Sequence, residues 1–112
     1  MNRGEIWSVN LDPTIGAEIK KTRPAIIVND NSVGLLPLRV IVPVTDWKPH
    51  YGAAVWMVKL DPNTTNSLSK PSAADCFQIR SVSKTRFVKK IGLLSADEME
   101  EIEQALSAVL HL

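Results

Sequence analysis

Two short apolar runs near the N-terminus, Ile6 to Leu11 and Ala25 to Val28, enclose a polar loop and constrain the fold more than any other feature of the chain. Ile6, Trp7, Val9 and Leu11 on one side and Ala25, Ile26, Ile27 and Val28 on the other are mostly β-branched or aromatic, and Asp12-Pro13, Gly16 and Pro24 bound them. Runs of this composition between turn formers suit strands. The segment from Arg3 to Asn31 therefore reads as strand, loop, strand, with Glu18, Lys20, Lys21 and Arg23 in the loop or at its exit. Pro24 fixes its own φ and biases Arg23 toward an extended backbone, so the guanidinium projects from a defined strand entry. An arginine held in this way can grip a phosphate.

The same punctuation continues downstream. Asn29 to Ser32 and Gly34 mark a turn, Leu38 to Val44 reads as a third strand, and Pro43 sets its far end at an edge or exit. Asp46 to Gly52 is a loop by composition, Ala54 to Leu60 a half-buried strand, and Asp61-Pro62-Asn63 a break. Thr64 to Ala74, rich in Ser, Asn, Thr and Lys, is expected to be loop. Asp75 to Val82 alternates as one strand, Ser83 to Arg86 forms a turn or short helical turn, and Val88 to Leu94 closes the β portion. Ser95 and Glu98 make a capping box, after which Met99, Ile102, Leu106, Val109 and Leu110 recur at helical spacing. Trp7, Trp56 and Cys76 are expected in the core, and His111 at the helix end as a partner for the helix dipole. This order predicts a mainly β fold with a C-terminal α-helix, a small, partly open β-barrel covered on one side by the helix.

A chain of 112 residues fits one compact domain, 1–112. No apolar run approaches the roughly 20 residues that span a bilayer, the N-terminus lacks a signal-peptide pattern, and the lone Cys76 excludes an internal disulfide and any zinc spacing. These features point to a cytoplasmic protein without a membrane partner. The net charge is only +1, but the charges are segregated. Lys20, Lys21 and Arg23 form one basic group, Arg80, Lys84, Arg86, Lys89 and Lys90 a second, and Asp97, Glu98, Glu100, Glu101 and Glu103 an acidic C-terminal stretch. If the two basic groups meet in space they attract a polyanion; scattered, they are a solvated surface.

Arg3-Gly4-Glu5-Ile6-Trp7, Asp12-Pro13, Gly16, Glu18 and Arg23-Pro24-Ala25, followed by Pro43-Val44-Thr45 and Gln78-Ile79-Arg80-Ser81-Val82 with Lys84 and Arg86, run in an order that resembles the MazF/PemK family of toxin endoribonucleases. The resemblance implies an SH3-like barrel acting as a homodimer on single-stranded mRNA, without a metal or other cofactor, and restrained by a cognate antitoxin. It further implies transesterification, in which the substrate 2′-hydroxyl attacks the adjacent phosphate and leaves a 2′,3′-cyclic phosphate and a 5′-hydroxyl. Arg23 falls on the family's catalytic arginine, Thr45 on a threonine that contacts the scissile phosphate, and Glu18 on a loop position used as a general base or to order the loop.

Around these, Lys20, Lys21, Arg80, Gln78, Phe77 and Trp47 are the expected RNA contacts. Phe77 reads either as a core-facing strand residue or as a surface for an unpaired base, and Gln78 as a reader of base edges or a cap for backbone groups. His50 reads as an ordinary loop histidine or a proton carrier. Thr22 stands where one branch of the family has histidine, and Ala17 and Ile19 replace two polar loop residues. Two rival functions fit the same fold: a non-catalytic barrel that binds a DNA topoisomerase, and a degenerate relative that binds RNA without cutting it.

Overall fold

The computed structural model describes residues 1–112. Seven strands and one α-helix follow in the order β1 (Glu5–Asn10), β2 (Thr22–Ile27), β3 (Leu38–Asp46), β4 (Met57–Leu60), β5 (Ser72–Asp75), β6 (Arg80–Ser83), β7 (Phe87–Leu93) and α1 (Ala96–Leu110). All pairings are antiparallel and the strands lie in the order β4-β5-β3-β2-β1-β7, with β6 on β3. The sheet curves but does not close, in agreement with the partly open barrel expected.

Alternation builds two cores from one sheet. Ile6, Ile26, Val42 and Val44 point toward the helix and pack with Leu60, Cys76, Ile102 and Ala105. Their neighbours Val9, Ala25, Ile27 and Ile41 point to the other face, where Leu11 and Val82 join them. Because β2 is covered on both faces, Ala25, Ile26 and Ile27 are all fully buried, which is why that run reads as continuously apolar. Each such aliphatic side chain removed from water contributes about 1.5–3 kcal/mol.

The helix starts as expected: the Ser95 hydroxyl accepts from the Glu98 amide at 3.1 Å, and Glu98 Oε1 accepts from the Ser95 amide at 2.9 Å. Its last residues end at His111, whose left-handed backbone (φ 58°) caps the helix through its own N–H to Ser107. Buried Arg39 donates to the carbonyls of Met1, Gly34, Leu36 and Leu38, so backbone dipoles surround its charge and fasten the chain end to the β2–β3 connection.

Five expectations need correction, the first being that β3 does not end near Pro43 but runs on to Asp46, because Val44 to Asp46 pair with β5. Asp75 to Val82 is not one strand, because the Asp75 carboxylate accepts from the Phe77 amide at 3.1 Å and starts a 3-10 turn at Cys76–Gln78. β5 ends and β6 begins on either side of that turn, and five residues, 75 to 79, face only Val42 and Pro43 of β3. The predicted strand from Ala54 is confined to Met57–Leu60, since a 3-10 turn at Pro49–Ala53 precedes it. Trp56 is 39% exposed, outside the core, and stacks edge-on with Phe77 at 6.1 Å.

The stretch 64–74 is not all loop: Ser72 to Ala74 belong to β5. Fully buried Asn66 organises the turn before it, accepting from the amides of Asn63 and Leu68 and donating to Asp61 O and Glu98 Oε2. Thr65 O then receives the Leu93 amide at 3.0 Å, which docks the turn against Gly92.

Candidate functional site

The face of the sheet carrying Ile27 and Ile41 runs on, by alternation, to Ala25 and Arg23 on β2 and to Pro43 and Thr45 on β3. The pairing Ala25 with Pro43, continued two residues, sets Arg23 across from Thr45. Here the hydrophobic cover stops, and both residues line a cleft of about 190 Å³ with Thr22, Asp46, Ser69, Lys70 and Ser72. None of the chain's ion pairs involves Arg23. Its contact within the protein is a long Nε–H bond to Lys20 O at 3.4 Å, so the guanidinium stays available to an anion.

A second cleft, about 540 Å³, opens beside the first where β5 and β6 part. Glu18, Pro43, Phe77, Gln78 and Arg80 line it. Pro43 carries no N–H and the chain opposite it leaves β3, so this stretch of strand is free to form a floor. Phe77 is 67% exposed, which removes the core-facing reading and presents its ring at the rim.

The β1–β2 loop forms the other wall. Asp12 Oδ1 accepts from the Lys21 amide at 3.1 Å, and the Leu11 amide donates to Lys21 O, closing the loop at its base. Glu18 Oε1 accepts from the Ile15 amide at 2.6 Å, tightening the tip. Gln78 reaches across from the 3-10 turn: its Oε1 accepts from the Ile19 amide at 2.6 Å and its Nε2 donates to Ala17 O at 3.2 Å. The side-chain amide is therefore engaged with loop backbone on both sides of Glu18.

Two members of the second basic group reach the root of the β1–β2 loop. Arg80 donates to Leu11 O at 3.2 Å, and Arg86 donates to the carbonyls of Asn10 and Asp12. These guanidiniums bridge the gap in the barrel where β6 and the end of β1 are not paired. Lys20 and Lys21 are exposed on the loop, Lys21 with a left-handed backbone (φ 69°), and line neither cleft. Trp47 also lies outside both, packed edge-on to Tyr51 with Lys59 Nζ 5.4 Å from its ring centre. His50 stacks on the other side of that group, 4.7 Å from Tyr51.

Burial raises the Asp75 carboxyl above its ordinary value, opposed by donation from the Phe77 and Gln78 amides. Burial and the neighbouring Asp75 push the Cys76 thiol up to about 12, so it is chemically inert at neutral pH. No group of three or more His, Cys, Asp or Glu side chains is arranged to hold a metal ion.

Sequence reasoning missed Asp46, Ser69, Lys70 and Ser72 as lining of the arginine cleft. The one local signal was Pro71, which extends the backbone at Lys70 and leads into β5.

The fold is thus a small, open antiparallel barrel with an arginine, a lysine and hydroxyls around one cleft, a set of donors that suits an oxyanion. A sequence model described as PemK-like, MazF-like toxin of type II toxin-antitoxin system matches residues 2–110, and the chain belongs to that family. It is 35% identical to endoribonuclease MazF9 of Mycobacterium tuberculosis (strain ATCC 25618 / H37Rv), over 100% of this chain and 96% of the relative. It is 37% identical to endoribonuclease PemK of Escherichia coli, over 98% of this chain and 82% of the relative. In fold it matches crystalline MazF from Deinococcus radiodurans with TM-score 0.84 at 22% identity, covering 100% of this chain and 97% of that one. A mycobacterial endoribonuclease solved with its cognate antitoxin superposes with TM-score 0.80 at 19% identity, covering 100% and 96%.

Proposed function

We propose that this protein is the toxin of a toxin-antitoxin pair and cleaves single-stranded mRNA without a metal, using the substrate's own 2′-hydroxyl as nucleophile. The observation that carries the reading is the joint placement of Arg23 and Thr45 in one cleft, with the guanidinium unpaired. Attack of the 2′ oxygen on phosphorus breaks the bond to the 5′ oxygen, leaving a 2′,3′-cyclic phosphate and a 5′-hydroxyl. The phosphorane-like state carries extra negative charge on its nonbridging oxygens, and a bidentate arginine with a hydroxyl donor opposes that charge where it develops. Glu18 lines the adjoining cleft, where it orders the loop or removes the 2′ proton.

Its partners in this reading are a second copy, as a homodimer in the cytoplasm, and a cognate antitoxin that holds it inactive; a mycobacterial endoribonuclease of the same fold is solved in complex with its own antitoxin. Exposed Phe77 supports stacking of an unpaired base beside the cleft. Purified protein is expected to cut an unstructured RNA in the presence of EDTA and to leave cyclic-phosphate ends. Arg23→Ala should abolish the cutting with an unchanged circular dichroism spectrum. An absolute need for Mg2+, or full activity of the variant, refutes the mechanism; RNA binding with no product identifies a non-cutting relative.

A further inference from the structure

The arginine cleft holds a second cation that the proposed mechanism has not used. Lys70 lines it, and its Nζ lies 2.9 Å from Asp46 Oδ1, the residue immediately after Thr45. Both side chains remain more than half exposed, at 62% and 53%. An exposed pair of this kind adds little to folding stability, so the fold alone does not account for it.

The backbone on either side of Lys70 is pinned. Pro71 O accepts from the Trp47 amide at 3.1 Å, the Ser72 hydroxyl donates to Lys70 O at 2.9 Å, and Ser72 pairs in register with Asp46. The stem of Lys70 thus leaves a fixed point at the mouth of the cleft, on the side opposite Arg23's strand. Only the flexible end of the side chain has freedom; it rests at Asp46, and Lys70 lines the same cleft as Thr45 and Arg23.

We infer that Lys70 is a phosphate-binding residue for an RNA strand in this cleft, and that Asp46 holds it until a phosphate takes the carboxylate's place. The inference rests on the RNA-cleaving reading for its substrate. A polyanion entering the cleft meets Arg23 and Lys70 on two sides, and the exchange of one exposed carboxylate for a phosphate oxygen costs little because the original pair is solvated. Asp46 also sets a threshold: with Lys70 neutralised, a single small anion gains less than a strand that contacts several cations at once.

The test is RNA binding across a potassium chloride series, read by fluorescence anisotropy with a 2′-O-methyl oligonucleotide that has no nucleophile and cannot be cut. Losing one phosphate contact to a single strand lowers the slope of log K against log salt by about 0.7. Lys70→Gln is expected to show that loss with weaker binding, Lys70→Arg to restore the slope, and Asp46→Asn to bind more tightly. Lys59→Gln, which removes a lysine paired with Asp61 and lining neither cleft of the site, should leave the slope unchanged. An unchanged slope in Lys70→Gln, or a drop of equal size in Lys59→Gln, overturns the inference.

The two readings separate cleanly. Cutting of natural RNA with no Lys70 effect on binding retains the nuclease and removes Lys70. A Lys70-dependent slope without cutting does the reverse. Failure of the unaltered protein to bind RNA removes both.

Discussion

Replacing Gln78 by alanine should loosen the β1–β2 loop without weakening the barrel. The side chain makes two hydrogen bonds to loop backbone, 2.6 Å from the Ile19 amide and 3.2 Å to Ala17 O. At about 0.5–1.5 kcal/mol net for each, their loss raises the free energy of the closed loop by about 1–3 kcal/mol, a 5- to 150-fold larger open population. Ala17 is exposed and Ile19 partly so, and water replaces the lost partners, which puts the effect near the lower bound. Amide hydrogen exchange reads this directly, because the Ile19 N–H is itself the donor. Its exchange should quicken at least about 5-fold while the amides of Ile26 and Val42 keep theirs. Gln78→Glu retains an acceptor for Ile19 but no donor for Ala17, so it should fall between. Unchanged protection at Ile19, or an equal loss throughout the core, refutes the argument.

Other perturbations follow from single contacts. A Cβ at Gly92 would lie 2.4 Å from Asn66 O and 2.8 Å from Thr65 O, both backbone atoms, so Gly92→Ala should lower stability by about 1–3 kcal/mol in urea unfolding. At Glu5, burial alone would raise the carboxyl, but donation from Trp7 Nε1–H and the Asn2 amide, with the chain amine and Lys90, lowers it overall. Because the folded value lies below the unfolded one, this stability is complete above the ordinary carboxylate range and is lost as pH falls through the folded value. Glu5→Gln should therefore flatten the acid limb of a melting-temperature profile. Cys76, buried and with its thiol pushed up to about 12, should react with a thiol reagent only at the rate of unfolding.

Local signals were readable where one physical cause acted alone. The turn-bounded, β-branched apolar runs of β2 and β3 and the Ser95–Glu98 capping box specify their elements without help from distant residues. Asp75 to Val82 misled because its alternation is genuine but a side-chain cap competes with it, and only the β3 edge decides which pattern prevails. Trp56 looked like core from its size, yet a helix-side sheet already filled by Val58 and Leu60 leaves it outside. Of the site, Arg23 and Thr45 were legible from a family pattern, and their shared cleft is a consequence of strand register. Gln78's attachment to the loop joins residues 59 and 61 positions apart, and no local pattern encodes it.

Strand β3 pairs with β2 on one edge and with β6 and then β5 on the other. It is the only strand shared by both halves of the sheet, and Thr45 sits on it one residue from its end. Detaching this threonine from the arginine therefore means breaking pairings on two edges at once, which amounts to dismantling the molecule. A partner that silences such a site has an easier route in covering it or shifting the β1–β2 loop. Either route leaves the barrel itself intact.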